Sequence, residues 1–213
     1  MMQRSKLPAH VIGATLVALL CVARSAQADM LLSGFEGDLT STAGPAWATN
    51  LTRSYTPVGA TQGATALQIT HGTNWTQDFI LDGGALAPLV ATSTKFTLDA
   101  TTPATSEWRQ LFIVMQGAGL GWSQRGPWEL PAGVTTPVTL DLQAEGFNTA
   151  AAAGDKSWWQ IVFIFQGGDT GAPSQITTTI DNIRLNPVPE PATAGLAVCG
   201  MIGMALVRRR RIT

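Results

Sequence analysis

Trp108-Arg109-Gln110-Leu111-Phe112-Ile113-Val114-Met115-Gln116-Gly117 is a run of β-branched, aromatic and long apolar residues stopped by glycine. Its length and composition read as a strand covered on both faces at its middle. The pattern returns as Trp158-Trp159-Gln160-Ile161-Val162-Phe163-Ile164-Phe165-Gln166-Gly167, at a constant offset of 50 residues. One offset seen once argues against a solenoid, which needs at least three stacked copies. It fits two structurally equivalent strands of one jelly roll.

Successive side chains of a strand point to opposite faces. Trp108, Gln110 and Gln116 therefore share a face with Phe112 and Val114, while Leu111, Ile113 and Met115 form the other. In the second copy Trp158, Gln160 and Gln166 share a face with Val162 and Ile164, opposite Ile161, Phe163 and Phe165. Both strands are apolar centrally and polar at their ends. Two readings of the Trp108/Gln110 and Trp158/Gln160 pairs follow. In one they sit on a partly open concave sheet or at its rim, where an indole face stacks on a sugar ring and an amide donates to and accepts from hydroxyls. In the other they seal the ends of core strands, the amides satisfying strand-end backbone groups.

Outward from these two segments, short β-branched and aromatic runs at 30–36, 64–70, 75–81, 95–100, 138–143 and 175–185 are separated by Gly, Pro, Thr and Asn clusters. With 108–116 and 158–166 they make eight strands. No sustained 3.6-residue periodicity accompanies them. Only 84–91 is compatible with a helical turn, limited by Pro88. The expected fold is all-β, an antiparallel jelly-roll β-sandwich over residues 29–186, long enough to bury a core without disulfides.

Gly119-Leu120-Gly121-Trp122-Ser123-Gln124-Arg125-Gly126-Pro127-Trp128 reads as a Gly-rich loop. Loops on a rigid scaffold commonly carry function. Trp122 and Trp128 are the exposed candidates here, with Arg125 as a hydrogen-bonding fork. The last strand carries a defect. Ile176 and Ile180 set one phase and Ile183 and Leu185 the other, so the alternation slips near Asp181-Asn182, as it does at a β-bulge.

The opening Gly34-Phe35-Glu36-Gly37 and the closing Thr179-Ile180-Asp181-Asn182-Ile183-Arg184-Leu185 resemble the first and last strands of carbohydrate-binding-module jelly rolls of the galactose-binding-like class. The resemblance implies a structural Ca²⁺ held by Glu36 and Asp181. Calcium takes six to eight oxygens, so carbonyls would have to complete the set.

Catalysis finds little support in the composition. After removal of a leader, His71 is the only histidine, and Tyr55 is the only tyrosine. A lone His after a strand end is usually a loop or satisfied core residue. Glycoside hydrolysis needs two carboxylates in contrasting environments. Glu107, Glu129 and Glu145 each neighbour a turn signal and read as solvated surface acids.

Residues 29–187 hold 6 basic and 13 acidic side chains, a net charge of -7. That balance disfavours nucleic acid, whose binding relies on Lys and Arg at phosphates. Cys21 and Cys199 both lie in terminal apolar stretches, so the body can form no disulfide, Cys-ligated zinc site or Cys nucleophile. Residues 1–28 read as a signal peptide: Arg4 and Lys6, an apolar run over 11–22, then Ala26-Gln27-Ala28 before Asp29. An uncleaved anchor is the other reading, although a run of 12 residues suits a signal better than a bilayer span.

At the other end, Val188-Pro189-Glu190-Pro191 is an extended spacer, followed by a charge-free stretch over 192–207 and by Arg208, Arg209, Arg210 and Arg211. As a helix that stretch is about 24 Å long, and the arginines can snorkel to the headgroups and hold their flank in the cytoplasm. The arrangement resembles the PEP-CTERM sorting signal of bacteria that make extracellular polysaccharide. The resemblance implies an inner-membrane anchor formed by residues 187–213. It also implies recognition of Pro189, Glu190 and Pro191 by an exosortase, which cuts near that triplet. A permanent C-terminal anchor has the same hydropathy and stays as the alternative.

These readings combine into an exported, non-catalytic surface or extracellular-matrix protein whose β-sandwich binds polysaccharide. A ligand-free, permanently anchored structural protein and a glycan-acting enzyme are the alternatives.

Overall fold

Ten strands and two short helices form among the residues described by the computed structural model, which are 29–36, 52–72, 79–82, 85–155, 158–171 and 175–187. The expected leader, and the tail with its Pro189 to Pro191 triplet, apolar helix and arginines, lie outside the described residues. No described helix is long and apolar enough to cross a membrane. The described residues all belong to one unit, Ala28–Pro187.

The strands make two antiparallel sheets. One contains β1 (Met30–Ser33), β2 (Thr52–Thr56), β3 (Ala66–Gly72), β5 (Ser93–Thr101), β8 (Thr135–Asp141) and β10 (Gln175–Pro187). Its order is β2-β3-β10-β5-β8, with β1 also paired to β10. The other has the order β4-β9-β6-β7, from β4 (Phe79–Asp82), β9 (Trp159–Asp169), β6 (Ser106–Gly117) and β7 (Leu120–Glu129). The inner faces meet in one apolar core. Phe96, Leu98, Ile176, Ile180 and Leu185 on one side face Leu111, Ile113, Met115, Ile161, Phe163 and Phe165 on the other. That is the jelly-roll sandwich expected from the alternation of the strands.

Three elements differ from the sequence reading. The stretch 119–128, read as a loop, is the edge strand β7. It accommodates Gly and Pro because it holds an extra residue twice: Leu111 and Ile113 face Trp128 and Arg125, and Met115 and Gly117 face Ser123 and Leu120. Bulges on an edge strand tolerate residues that would break a central one. Strand β2 is missing from the sequence reading because Thr52-Arg53-Ser54-Tyr55-Thr56 is short and polar, another edge.

Helix α1 (Leu86–Ala91) is the turn allowed for at 84–91, with Pro88 in its first turn. Helix α2 (Phe147–Ala153) is not signalled in the sequence, since its alanine run offers no amphipathic period. The two helices pack against each other, and both bury side chains in the main core, Ala87 and Val90 from α1 and Phe147 and Ala151 from α2.

The slip in the last strand is a bulge. On β10, Asp181 faces Asp99 of β5 but Arg184 faces Thr97, so β10 holds one residue more than its partner. Asn182 takes up the excess in a left-handed conformation with φ 54°, a region that Asn tolerates better than most residues.

Candidate functional site

The two repeated segments are antiparallel neighbours. β6 and β9 pair without interruption from Trp108↔Gly168 to Gly117↔Trp159, and Ile113↔Phe163 lies at the middle. These two middle residues are themselves repeat equivalents, so a local twofold axis through this pair exchanges the strands. Gln110 is thereby placed opposite Gln166, and Gln116 opposite Gln160.

The outer face of this sheet has an apolar centre and polar ends. Ile80, Val114, Val162 and Ile164 form a second apolar cluster, each at most 1% exposed, with Phe112 packed beside them. The centre is thus shielded from solvent, so of the two places the sequence reading allowed, a partly open face and its rim, the open positions lie at the rim. The ends are open: Trp108 is 51% exposed and Trp158 42%. These two indoles lie at opposite ends of the sheet. Trp108 faces Gly168, whereas Trp158 accepts from the Ala118 N–H with its carbonyl, ten residues further along, or about 33 Å at ~3.3 Å per residue.

At one end Gln116 Nε2 donates to Gln160 Oε1 at 2.6 Å, which leaves the Gln160 amide as donor and the Gln116 carbonyl as acceptor. Trp122, on β7, flanks this amide pair. It precedes Ser123, the partner of Met115, and by alternation shares the outer face; it is 47% exposed. At the other end Gln110 Nε2 donates to Glu129 Oε1 at 2.6 Å. Gln116 and Gln166 are not among the site residues proposed from sequence. The repeat holds that information, but only an antiparallel pairing of its two copies brings the four amides together in twos.

Two of the expected candidates are turned away. Trp128 faces inward beside Leu111 and packs, half-buried, on the main core. The bulge at 126–127 reverses the phase between Trp122 and Trp128. Arg125 also faces inward, opposite Ile113. Its Nε donates to Glu145 Oε2, its Nη1 to the Gln124 carbonyl at 2.8 Å, and its guanidinium lies 5.0 Å from the centre of the Phe147 ring. It ties β7 to the start of α2 and is no free fork. Glu107, Glu129 and Glu145 are exposed. His71 is buried, its Nδ1 donating to the Gly72 carbonyl at 2.7 Å.

Glu36 and Asp181 converge on the same segment before β3. Asp181 Oδ2 accepts from Thr61 N at 2.6 Å and from Gln62 N at 2.7 Å. Glu36 Oε1 accepts from Ala64 N at 2.7 Å and from Thr65 N at 3.1 Å. One oxygen of each carboxylate is thus spent on backbone amides. The other oxygen of Asp181, Oδ1, is buried without a hydrogen-bond partner, the kind of orphaned acceptor a cation satisfies. The donor set fits Ca²⁺ in that respect. Among the described residues no group of three or more acidic, His or Cys side chains forms a metal cluster, so carbonyl oxygens would have to supply the remaining ligands.

No protein-family model matches the sequence, and no curated protein matches it. Solved structures do. The C-terminal family 22 carbohydrate-binding module of Clostridium thermocellum Xyn10B superposes with TM-score 0.50 at 11% identity, over 79% of this chain and 97% of that one. An exo-β-agarase gives TM-score 0.51 at 15% identity over 76% of this chain, which spans only 25% of the agarase. A carbohydrate-binding module of the β-sandwich superfamily gives TM-score 0.46 at 23% identity over 76% of this chain, which spans 63% of that module's chain. The fold is that of the carbohydrate-binding-module β-sandwiches. Identities this low speak to the fold alone.

Proposed function

We propose that this protein is an exported, non-catalytic surface or matrix component whose β-sandwich binds polysaccharide through the open ends of the β4-β9-β6-β7 sheet. One observation carries the reading: Trp108, Trp122 and Trp158, all more than 40% exposed, stand beside outward-facing glutamines on one sheet. Leaving three indoles in water is unfavourable unless something covers them, since each large aromatic carries a large hydrophobic area. An indole beside an amide provides a stacking surface and hydrogen bonds, the two things a pyranose ring uses.

Residues 1–28 act as the leader in this proposal, and the tail from Pro189 to Arg211 as an exosortase-processed anchor. Glu36 and Asp181 hold a structural Ca²⁺. Affinity electrophoresis through xylan, mixed-linked β-glucan and agarose gels tests the binding. Retardation by at least one polymer, weakened by Trp158→Ala, is expected; equal migration in all of them refutes it. Mass analysis of the mature protein is expected to find an N-terminus at Asp29 and a C-terminus near Pro189 to Pro191, and an intact arginine tail would refute processing.

A second reading draws on the shielded centre of the same face. Val114, Val162 and Ile164, all fully buried, show that much of this surface is packing, which favours a ligand-free structural protein. The exposed indoles weigh against it.

A further inference from the structure

The local twofold of the β6/β9 pair has a functional corollary. Each end of the outer face carries the same set: an exposed indole (Trp108 or Trp158), the glutamine two residues after it (Gln110 or Gln160) and the glutamine across the strand pair (Gln166 or Gln116). The axis through Ile113 and Phe163 exchanges the two sets member by member. The glycines that close the repeats, Gly117 and Gly167, stand at equivalent positions but in unlike surroundings, opposite Trp159 and Arg109. A Cβ on Gly117 would stand 2.6 Å from Trp159 Nε1, and one on Gly167 would run into the Trp108 carbonyl oxygen.

Between the sets lie Val114, Val162 and Ile164, which offer neither exposed apolar area nor a polar group. Resting on the proposed polysaccharide binding, we infer that this one sheet is bivalent. It has two symmetry-related glycan sites whose indoles lie about 33 Å apart, so a single domain bridges two polysaccharide strands or two stretches of one. A protein with that property cross-links a polymer instead of merely decorating it.

The two ends are not identical in charge. Glu129 accepts from Gln110 at the Trp108 end, whereas the Trp158 end pairs two neutral amides and adds Trp122. The basic side chains of β6 and β7, Arg109 and Arg125, both face inward. Among the described residues neither site thus has an outward basic side chain from β6 or β7, and Glu129 makes the Trp108 site the one that excludes anionic sugars more strongly.

Native mass spectrometry of the full chain in mild detergent tests this, using xylohexaose, a mixed-linked glucan tetrasaccharide and an agaro-oligosaccharide in turn. Two oligosaccharides per chain are expected, falling to one in Trp108→Ala and to one in Trp158→Ala. Turbidity of the matching polymer on protein addition is expected to vanish in either variant. Retention on a polymer gel is expected to weaken about 100-fold as the second contact is lost. Both indoles are exposed, so unchanged melting curves will confirm that the variants fold. One oligosaccharide per wild-type chain, with polymer gels still retarding it, overturns bivalency and leaves the binding proposal standing. No binding to any oligosaccharide or polymer removes both.

Discussion

Arg109 of β6 and Asp169 of β9 form an ion pair sealed inside the sandwich, with side chains 0% and 8% exposed. Arg109 Nη2 donates to Asp169 Oδ1, and the other carboxylate oxygen accepts from Thr177 N of β10 at 3.0 Å. The pair therefore joins the two sheets through one carboxylate. Breaking a buried pair on one side leaves an uncompensated charge, which costs about 3–5 kcal/mol. Asp169→Asn is expected to lose that much in urea unfolding. Adding Arg109→Met removes the stranded charge while the new amide's carbonyl oxygen can still accept from Thr177 N, so the double variant is expected to be more stable than Asp169→Asn alone. Additive losses would show that the charge pairing is not what matters.

His71 reports on the same end of the core. Burial, opposed by its hydrogen bond to the Gly72 carbonyl and reinforced by the positive charge of Arg109, lowers its pKa from 6.5 to about 4. Between those values the unfolded chain takes up a proton that the folded chain refuses. Stability contributed by neutral His71 is thus whole above pH 6.5 and drains away as pH falls toward 4, by about 3 kcal/mol in all. Unfolding free energies measured across this window are expected to show the slope in the wild type and to lack it in His71→Phe. The same slope in both proteins would assign it to other groups.

The parts of the fold that are legible in the sequence are those where packing dominates the choice of residue. The inner faces of β6 and β9 follow from alternation, and even the bulge at Asp181-Asn182 shows as a phase slip between Ile180 and Ile183. Edges and helix α2 are not legible in the same way. In β7, Gly126 and Pro127 look like punctuation because they are punctuation in a central strand, whereas an unpaired edge absorbs them in a bulge. The same bulge explains why Trp122 faces outward and Trp128 inward, which no count along the chain could have given. The engagement of Arg125 is illegible for a related reason: its partners Glu145 and Phe147 come from a distant segment.

Gly63 lies between the amides held by Asp181 and those held by Glu36. Its φ of +73° is a conformation L side chains rarely adopt, and a Cβ there would run into the Glu36 carboxylate. Gly63→Ala is expected to cost about 1–3 kcal/mol, partly by displacing Glu36 from Ala64 N and Thr65 N. Gly121, where an added Cβ would meet nothing within 4 Å, is the control, and Gly121→Ala is expected to change stability by less than about 0.5 kcal/mol. Equal effects in thermal unfolding would mean that the segment 61–65 is not clamped.

Calcium gives the sharpest test of that clamp. Asp181 spends one oxygen on Thr61 and Gln62 and buries the other unpaired, an arrangement that costs stability unless a cation completes it. A cation that binds only the folded chain adds about 2.7 kcal/mol at 100 times its dissociation constant, or about 5–10 °C for a domain of this size. Chelation is expected to lower the melting temperature by that order, and added Ca²⁺ to restore it. Asp181→Asn retains an oxygen for the two amides but lacks the charge, so its melting temperature is expected to ignore both treatments. A wild-type protein indifferent to chelator and to millimolar Ca²⁺ would reduce Glu36 and Asp181 to caps for backbone amides.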